Sequence, residues 1–222
     1  VEAAQKQSKT DITDHPTDVI FQHLSVKSPM GKILIKDLNL TLTQGHSLLI
    51  QGQSGVGKTT LLRTIAGLWS YAEGKIFCPQ HNTLFLSQRP YLPQGNLLTA
   101  LYYPDTTENV DLAKITRVLE QVQLAHLQDR LEQEQDWSRI LSLGEQQRLA
   151  FARLLLHKPK VAFLDEASAS LDEGMEHAMY RLIREELPNT TIISVGHRST
   201  LVPLHQQQLE LHTDGSWVFN PH

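Results

Sequence analysis

From residue 19 the apolar positions fall in short runs that suit strands: VIFQHLSV, KILIKDLNLTL and HSLLIQ. Gly31 and the Gln44-Gly45 pair supply turns between them. The rhythm then lengthens. TLLRTIAGLW has helical spacing, with Leu61, Leu62, Ile65, Leu68 and Trp69 on or near one face. KIFC and TLFLSQ return to strand-like runs. From about residue 90 the pattern becomes helical in NLLTALYY, VDLAKITRVLEQVQL and HLQDRLEQ. With the helix EQQRLAFARLLLH that follows, this predicts a small helical subdomain over about residues 90–157. Strand KVAFLD, helix EGMEHAMYRLIREEL, strand TTIISV and a short terminal hairpin complete the chain. Alternating strands and helices predict an α/β fold with a mainly parallel core sheet covered by helices. Residues 1–18 are polar and read as a lead-in or linker, so the predicted domain spans residues 19–222.

Composition narrows this picture. Hydrophobic residues make up 40% and charged residues 20% of the 222, a soluble globular balance. The formal net charge is −4, so no global basic field gathers nucleic acid. The single cysteine, Cys78, rules out an internal disulfide and fits a reducing compartment. The longest apolar runs are a few residues, far short of the ~20 that span a bilayer.

The most informative stretch is GQSGVGKT at residues 52–59, which fits G-x-x-x-x-G-K-[ST]. It lies between an apolar strand and a helix, the context the motif requires. Its glycines, Gly52, Gly55 and Gly57, permit backbone angles that side chains forbid, so successive N–H groups form an anion nest at a helix N-terminus. Lys58 is then within reach of β- and γ-phosphates, and the Thr59 hydroxyl is a Mg²⁺ ligand. VAFLDEAS is the second signal: a buried strand with Asp165 and Glu166 at its C-terminal end. Asp165 is placed to hold Mg²⁺ and Glu166 to orient or deprotonate an attacking water, although Asp165 read alone could cap the next helix. The third signal is LSLGEQQRLAFAR, where Ser142 and Glu145 have capping-box spacing. Spacing alone leaves an ordinary capped helix equally open there.

In order, GQSGVGKT, the glutamine of FLSQRP, LSLGEQQ, VAFLDE, ASLD and SVGHR resemble the motif series of ABC-type ATPase domains, and the resemblance covers residues 19–222. It implies a P-loop NTPase fold of the ABC type, with an N-terminal antiparallel β-subdomain and a small helical subdomain. ATP with Mg²⁺ would be held by Gly52, Gln53, Ser54, Gly55, Val56, Gly57, Lys58, Thr59 and Thr60. The metal would lie at Thr59, Gln88 and Asp165. Gln88 corresponds to the Q-loop glutamine, and His197 to the switch histidine that holds the γ-phosphate and Glu166 in line. The catalytic set would thus be Glu166, His197, Gln88 and Lys58. Ser142, Leu143, Gly144 and Glu145 correspond to the signature that binds ATP held on a second protomer, and Asp172 to the aspartate at the dimer seam.

The spelling LSLGEQQR, with QRPYLPQGNLLTALYYP and LWSYAEGKI, is similar to the peroxisomal fatty-acid (class D) half-transporter branch and its bacterial relatives. That implies an ATP-dependent homodimer and a transmembrane domain on the same full-length chain. It also implies a place on the cytoplasmic face of a membrane, with wording that leans to a bacterial inner membrane. The opening Val1 and the polar lead-in agree with a C-terminal domain of such a chain. The segment RPYLPQGN would face the coupling region of the membrane part. The other class considered, a soluble ABC ATPase of DNA repair or translation, would carry a coiled coil or tandem domains, and the chain has one phosphate loop and a short helical insert. Three departures stand out. The stretch at residues 24–29 lacks the aromatic residue on which many ABC ATPases stack adenine, so stacking is either weak or supplied by Val26 or Pro29. The signature has Leu143 where glycine is usual, and ASLD replaces SALD.

Overall fold

Aliphatic and β-branched runs bounded by turns become strands, and runs spaced three and four apart become helices, in the computed structural model, which describes residues 10–221. The chain divides into two units. Of the described residues, the first unit takes 10–85, 160–165 and 189–221, and the second takes 86–159 and 166–188.

The first unit begins with β1 (Asp11–Asp14), β2 (Val19–Lys27), β3 (Ile33–Leu42), β4 (Ser47–Gly52), helix α1 (Lys58–Ile65) and β5 (Ala72–Cys78). Next comes β6 (Thr83–Ser87), whose last two residues open the second unit. Later segments add β7 (Val161–Asp165), β8 (Thr191–Val195), β9 (Gln207–Leu211) and β10 (Trp217–Asn220). A four-stranded sheet has the order β1-β5-β2-β3, with β2 antiparallel to both β3 and β5. The larger sheet has the order β10-β9-β4-β8-β7-β6. In it β4 runs parallel to β8 and β9, β7 runs parallel to β8, and β9–β10 is the terminal hairpin. Strands β7 and β8 read as almost continuous buried runs, the pattern of a parallel sheet covered on both faces. Helix α1 packs on β4, β7 and β8 through Leu61, Leu62 and Ile65, which are buried.

Two expectations are corrected here. Asp11–Asp14, read as lead-in, is strand: it pairs in parallel with β5, and Ile12 packs against the hydrophobic cluster. The exposed backbone edge of β5 supplies the partners that a polar sequence does not advertise. The remainder of the lead-in, residues 1–9, lies outside the described residues. The helix after the phosphate loop also stops early. Gly67 turns left-handed (φ +78°), Leu68 N–H donates to the Arg63 carbonyl and Gly67 N–H to that of Thr64, a Schellman closure. Leu68 is therefore 64% exposed rather than on the buried face, and Trp69 turns its Nε1–H to the Lys27 carbonyl.

The second unit is helical: α2 (Leu97–Tyr102), α3 (Leu112–Gln121), a 3₁₀ turn at Ala125–Arg130 where a regular helix was expected, α4 (Trp137–Ile140), α5 (Leu143–His157) and α6 (Glu173–Glu186). Asn96 caps α2 and Asp111 caps α3, each accepting backbone N–H bonds. Helix α5 is apolar on almost every side and packs with α2, α3 and α6. Phe151 meets Tyr180 edge to face. Buried Arg153 donates from Nε to the Ala100 carbonyl (2.7 Å) and from Nη2 to the Tyr91 carbonyl (2.6 Å), under the ring of Tyr103. Burial lowers its pKa to about 10, which leaves it a cation at neutral pH.

Candidate functional site

In the first unit, Gln53, Ser54, Gly55, Val56 and Gly57 form the loop joining β4 to α1, with Gly52 as the last residue of β4. Two glycines are demanded by space as well as by angle. A Cβ on Gly52 (φ +148°) would lie 2.7 Å from the Leu211 carbonyl oxygen and 2.8 Å from Val56 Cγ1. One on Gly57 (φ +115°) would lie 3.3 Å from Leu34 Cβ. Gly57 is also the N-cap of α1, and no side chain caps that end. No acidic residue lies in the first turn, so its partial positive charge has no neighbouring carboxylate in the helix.

Lys58 folds back over this loop. Its side chain is buried, and Nζ donates to the Gly52 carbonyl at 2.8 Å and to His197 Nδ1 at 3.1 Å. An ammonium has only protons to give, so His197 carries its lone pair on Nδ1 in this arrangement. Thr59 Oγ1 donates to Asp165 Oδ1 at 3.1 Å, while Thr60 continues α1. Gly52, Lys58, Thr59, Asp165 and His197 are thus drawn together from three separate stretches of chain. An open cleft of about 440 Å³ lined by Gln51, Gly52, Gln53, Gly196, His197 and Glu210 lies at this place. Ser194 and His205 steady the chain on either side of His197: their side chains meet at 2.7 Å, and His205 Nδ1 bonds the Leu201 carbonyl.

The second unit holds Gln88, Ser142, Leu143, Gly144, Glu145, Glu166 and Asp172. Ser142 caps α5 with a complete capping box: its Oγ accepts from Glu145 N–H, and Glu145 Oε1 accepts from Ser142 N–H. Burial pushes the Glu145 carboxyl up, but bonds from the Ser142 backbone and hydroxyl and from His126 outweigh it and hold the group below its ordinary value. Asp172 caps α6 through Met175 N–H, while Asp165 caps no helix. Glu166 takes a left-handed backbone (φ +54°), rare for a residue that is neither Gly, Asn nor Asp. Arg89, Pro90, Tyr91, Leu92, Ser138, Arg139, Leu143 and Gln146 line an open groove of about 620 Å³.

Sequence spacing missed three residues that shape these places. Leu34 and Leu211 press on the phosphate loop from distant strands, and Gln147 is a fully buried amide in α5. Only Gln147 left a trace in the sequence, as a polar residue within an apolar helix.

A strand-to-helix glycine loop at the C-terminal edge of a mainly parallel sheet, with a lysine folded over it, defines the P-loop class of phosphate-binding folds. Within that class the chain belongs to the ABC transporter family, whose profile matches residues 35–169. It is 67% identical, over 98% of its length and 37% of the relative's, to an "Uncharacterized ABC transporter ATP-binding protein" of Haemophilus influenzae. It is 41% identical, over 91% of its length and 36% of the relative's, to the human "Lysosomal cobalamin transporter ABCD4". The likeness to class D transporters read from the motifs is thereby shown. A bacterial Atm1-family ABC exporter solved with ATP bound has the same fold, with a TM-score of 0.81 over 100% of this chain and 41% of that one, at 22% identity. The chain spans about a third of the length of the curated relatives it matches. Among the described residues no helix is long and apolar enough to cross a membrane.

Proposed function

We propose that this chain is the ATP-binding and ATP-hydrolysing motor domain of a membrane transporter. Two copies pair head to tail around two Mg-ATP, each completing the other's site with Ser142, Leu143, Gly144 and Glu145, with Asp172 at the seam. The observation that carries the reading is the convergence of Lys58, Thr59, Asp165 and His197 on the uncapped start of α1. The residue set fits a magnesium nucleotide. Thr59 and Asp165 offer hard oxygen donors side by side, as Mg²⁺ requires when substrate phosphates fill most of its coordination, and in this reading Gln88 is the third protein ligand. Bound there, the metal neutralises charge on the phosphate oxygens.

The chain's own residues do the rest. The loop N–H groups and Lys58 hold and orient the phosphates. Glu166, next in the chain after Asp165, aligns and deprotonates the attacking water. His197 donates to the γ-phosphate and, with Gln88, keeps the water in line. The left-handed backbone at Glu166 supports a special role, because such angles persist where a side chain must be aimed. The groove that Arg89, Tyr91 and Leu143 help to line is the surface on which the transmembrane domain of the same full-length chain docks, at the cytoplasmic face of the membrane. The relatives carry transporter names, which favours this over a soluble repair or translation ATPase.

The test is phosphate release by wild type and by Glu166→Gln, beside nucleotide titration. Hydrolysis should fall by about 10²–10⁴, the usual contribution of a positioned base, with ATP binding retained and the dimer prolonged. Wild-type turnover in the variant would remove Glu166 from the mechanism.

A further inference from the structure

Gln147 lies one turn into α5 and has no exposed surface. Both ends of its amide are used, and neither partner belongs to α5. Nε2 donates to the Gln88 carbonyl at 2.8 Å, and Oε1 accepts from the Ser170 backbone N–H at 2.9 Å. A carbonyl only accepts and a backbone N–H only donates, so the amide fits in this one orientation.

The two partners lie in different motif segments. Gln88 is the glutamine after β6. Ser170 lies between Glu166 and Asp172, two residues before the latter. That short segment satisfies neighbouring donors within itself, Ala169 N–H to the Glu166 carbonyl and Leu171 N–H to that of Ser168. Ser170 N–H is the donor it gives to a distant side chain. The contact has support on both sides. A Cβ built on Gly144 would lie 3.5 Å from the Ser170 carbonyl oxygen, so the start of α5 runs close to the same residue. Two turns further along α5, Arg153 holds the Tyr91 carbonyl, three residues beyond Gln88.

We propose that Gln147 is a positioning residue that couples the Gln88 loop to the segment between Glu166 and Asp172 through the start of α5. A buried amide tied at both ends transmits displacement, because breaking either bond strands a polar group away from water. Movement of Gln88 is thereby passed to Ser170 and to the helix start that carries Ser142 and Gly144. This rests on the hydrolytic reading above and adds to it the link that times the water-positioning residues against the signature helix.

Two variants test it. Gln147→Met keeps the size and removes both polar ends. Its kcat for ATP should fall by about tenfold, the worth of one well-placed hydrogen bond, with KM unchanged because the Lys58 loop is untouched. Amide exchange at Ser170, read by NMR or mass spectrometry, should speed up by a similar factor. Gln147→Glu supplies the conservative rescue. When protonated, its O–H donates to the Gln88 carbonyl and its C=O accepts from Ser170, so activity should approach wild type at low pH. As pH rises through the carboxyl pKa, which burial raises, kcat should fall in a way the wild type does not. Wild-type kcat and Ser170 exchange in Gln147→Met, or a Gln147→Glu pH profile that superimposes on wild type, would overturn the coupling alone. Absence of ATP turnover in the wild-type chain would overturn the hydrolytic reading, and the coupling with it.

Discussion

The two helix starts that matter in this chain are built in opposite ways. Helix α1 begins at a left-handed glycine with no side-chain cap and no acid in its first turn. Helix α5 begins at Ser142 with a reciprocal capping box and a carboxylate in place. The dipole at α1 is left for an incoming anion to neutralise, and Lys58 adds a full charge beside it. At α5 the Glu145 carboxylate already does that work. An isolated chain should therefore take phosphate at α1. On the dimer proposed above, the start of α5 would become an anion site only when a second nucleotide-loaded copy presented phosphate to the remaining N–H groups, those of Leu143 and Gly144. On that proposal, the difference would separate a binding end from a sensing end within one polypeptide.

The sharpest way to break this contrast is Lys58→Ala. Loss of a charged hydrogen-bond donor is worth about 1.5–3 kcal/mol, so calorimetry should find nucleotide binding weakened by roughly 10–100-fold. Unchanged affinity would mean that the open end of α1 is not the binding end. Ser142→Ala attacks the sealed end. It should lower stability by about 1 kcal/mol and the melting temperature by roughly 2–4 °C, with nucleotide affinity of the monomer unchanged. A fall in monomer affinity would show that α5 takes part in binding without a partner. The smallest effect is acid sensitivity of the same cap. Glu145 is held below its ordinary value of 4.5, so its contribution is fully present above that value and is lost as pH falls through the depressed folded one. Thermal melts across that range should show a loss in wild type that Glu145→Gln lacks.

Much of this is legible in the sequence. The phosphate loop, the apolar strand ending in Asp165 and Glu166, and the Ser142–Glu145 spacing are local signals, written within a few residues each. The parallel sheet followed from strand–helix alternation. What stayed hidden depends on chain segments far apart in sequence. The approach of Lys58 to His197 spans 139 positions, and that of Thr59 to Asp165 spans 106. The sequence marks Gln147 only as a polar residue within an apolar helix, and its partners, Gln88 and Ser170, lie 59 and 23 positions away. The strand at Asp11–Asp14 is hard to read because backbone pairing with the edge of β5 leaves no mark in a run whose one apolar side chain is Ile12. The early end of α1 was in principle readable, since Gly67 is the residue that Schellman closures favour. The apolar spacing of Leu68 and Trp69 masked it.

The last stretch of the chain carries none of the sequence motifs, yet the first glycine of the phosphate loop is seated on it. Gly52 pairs with Leu211 across β4 and β9, and the Leu211 carbonyl fills the space where a side chain at 52 would go. Trp217 pins the same hairpin to β3 by donating its indole N–H to the Lys36 carbonyl. A stop codon just past residue 205 would thus spare every recognisable signature and still remove the floor beneath the loop. An inspection that scores such an allele by its motifs would pass it as intact.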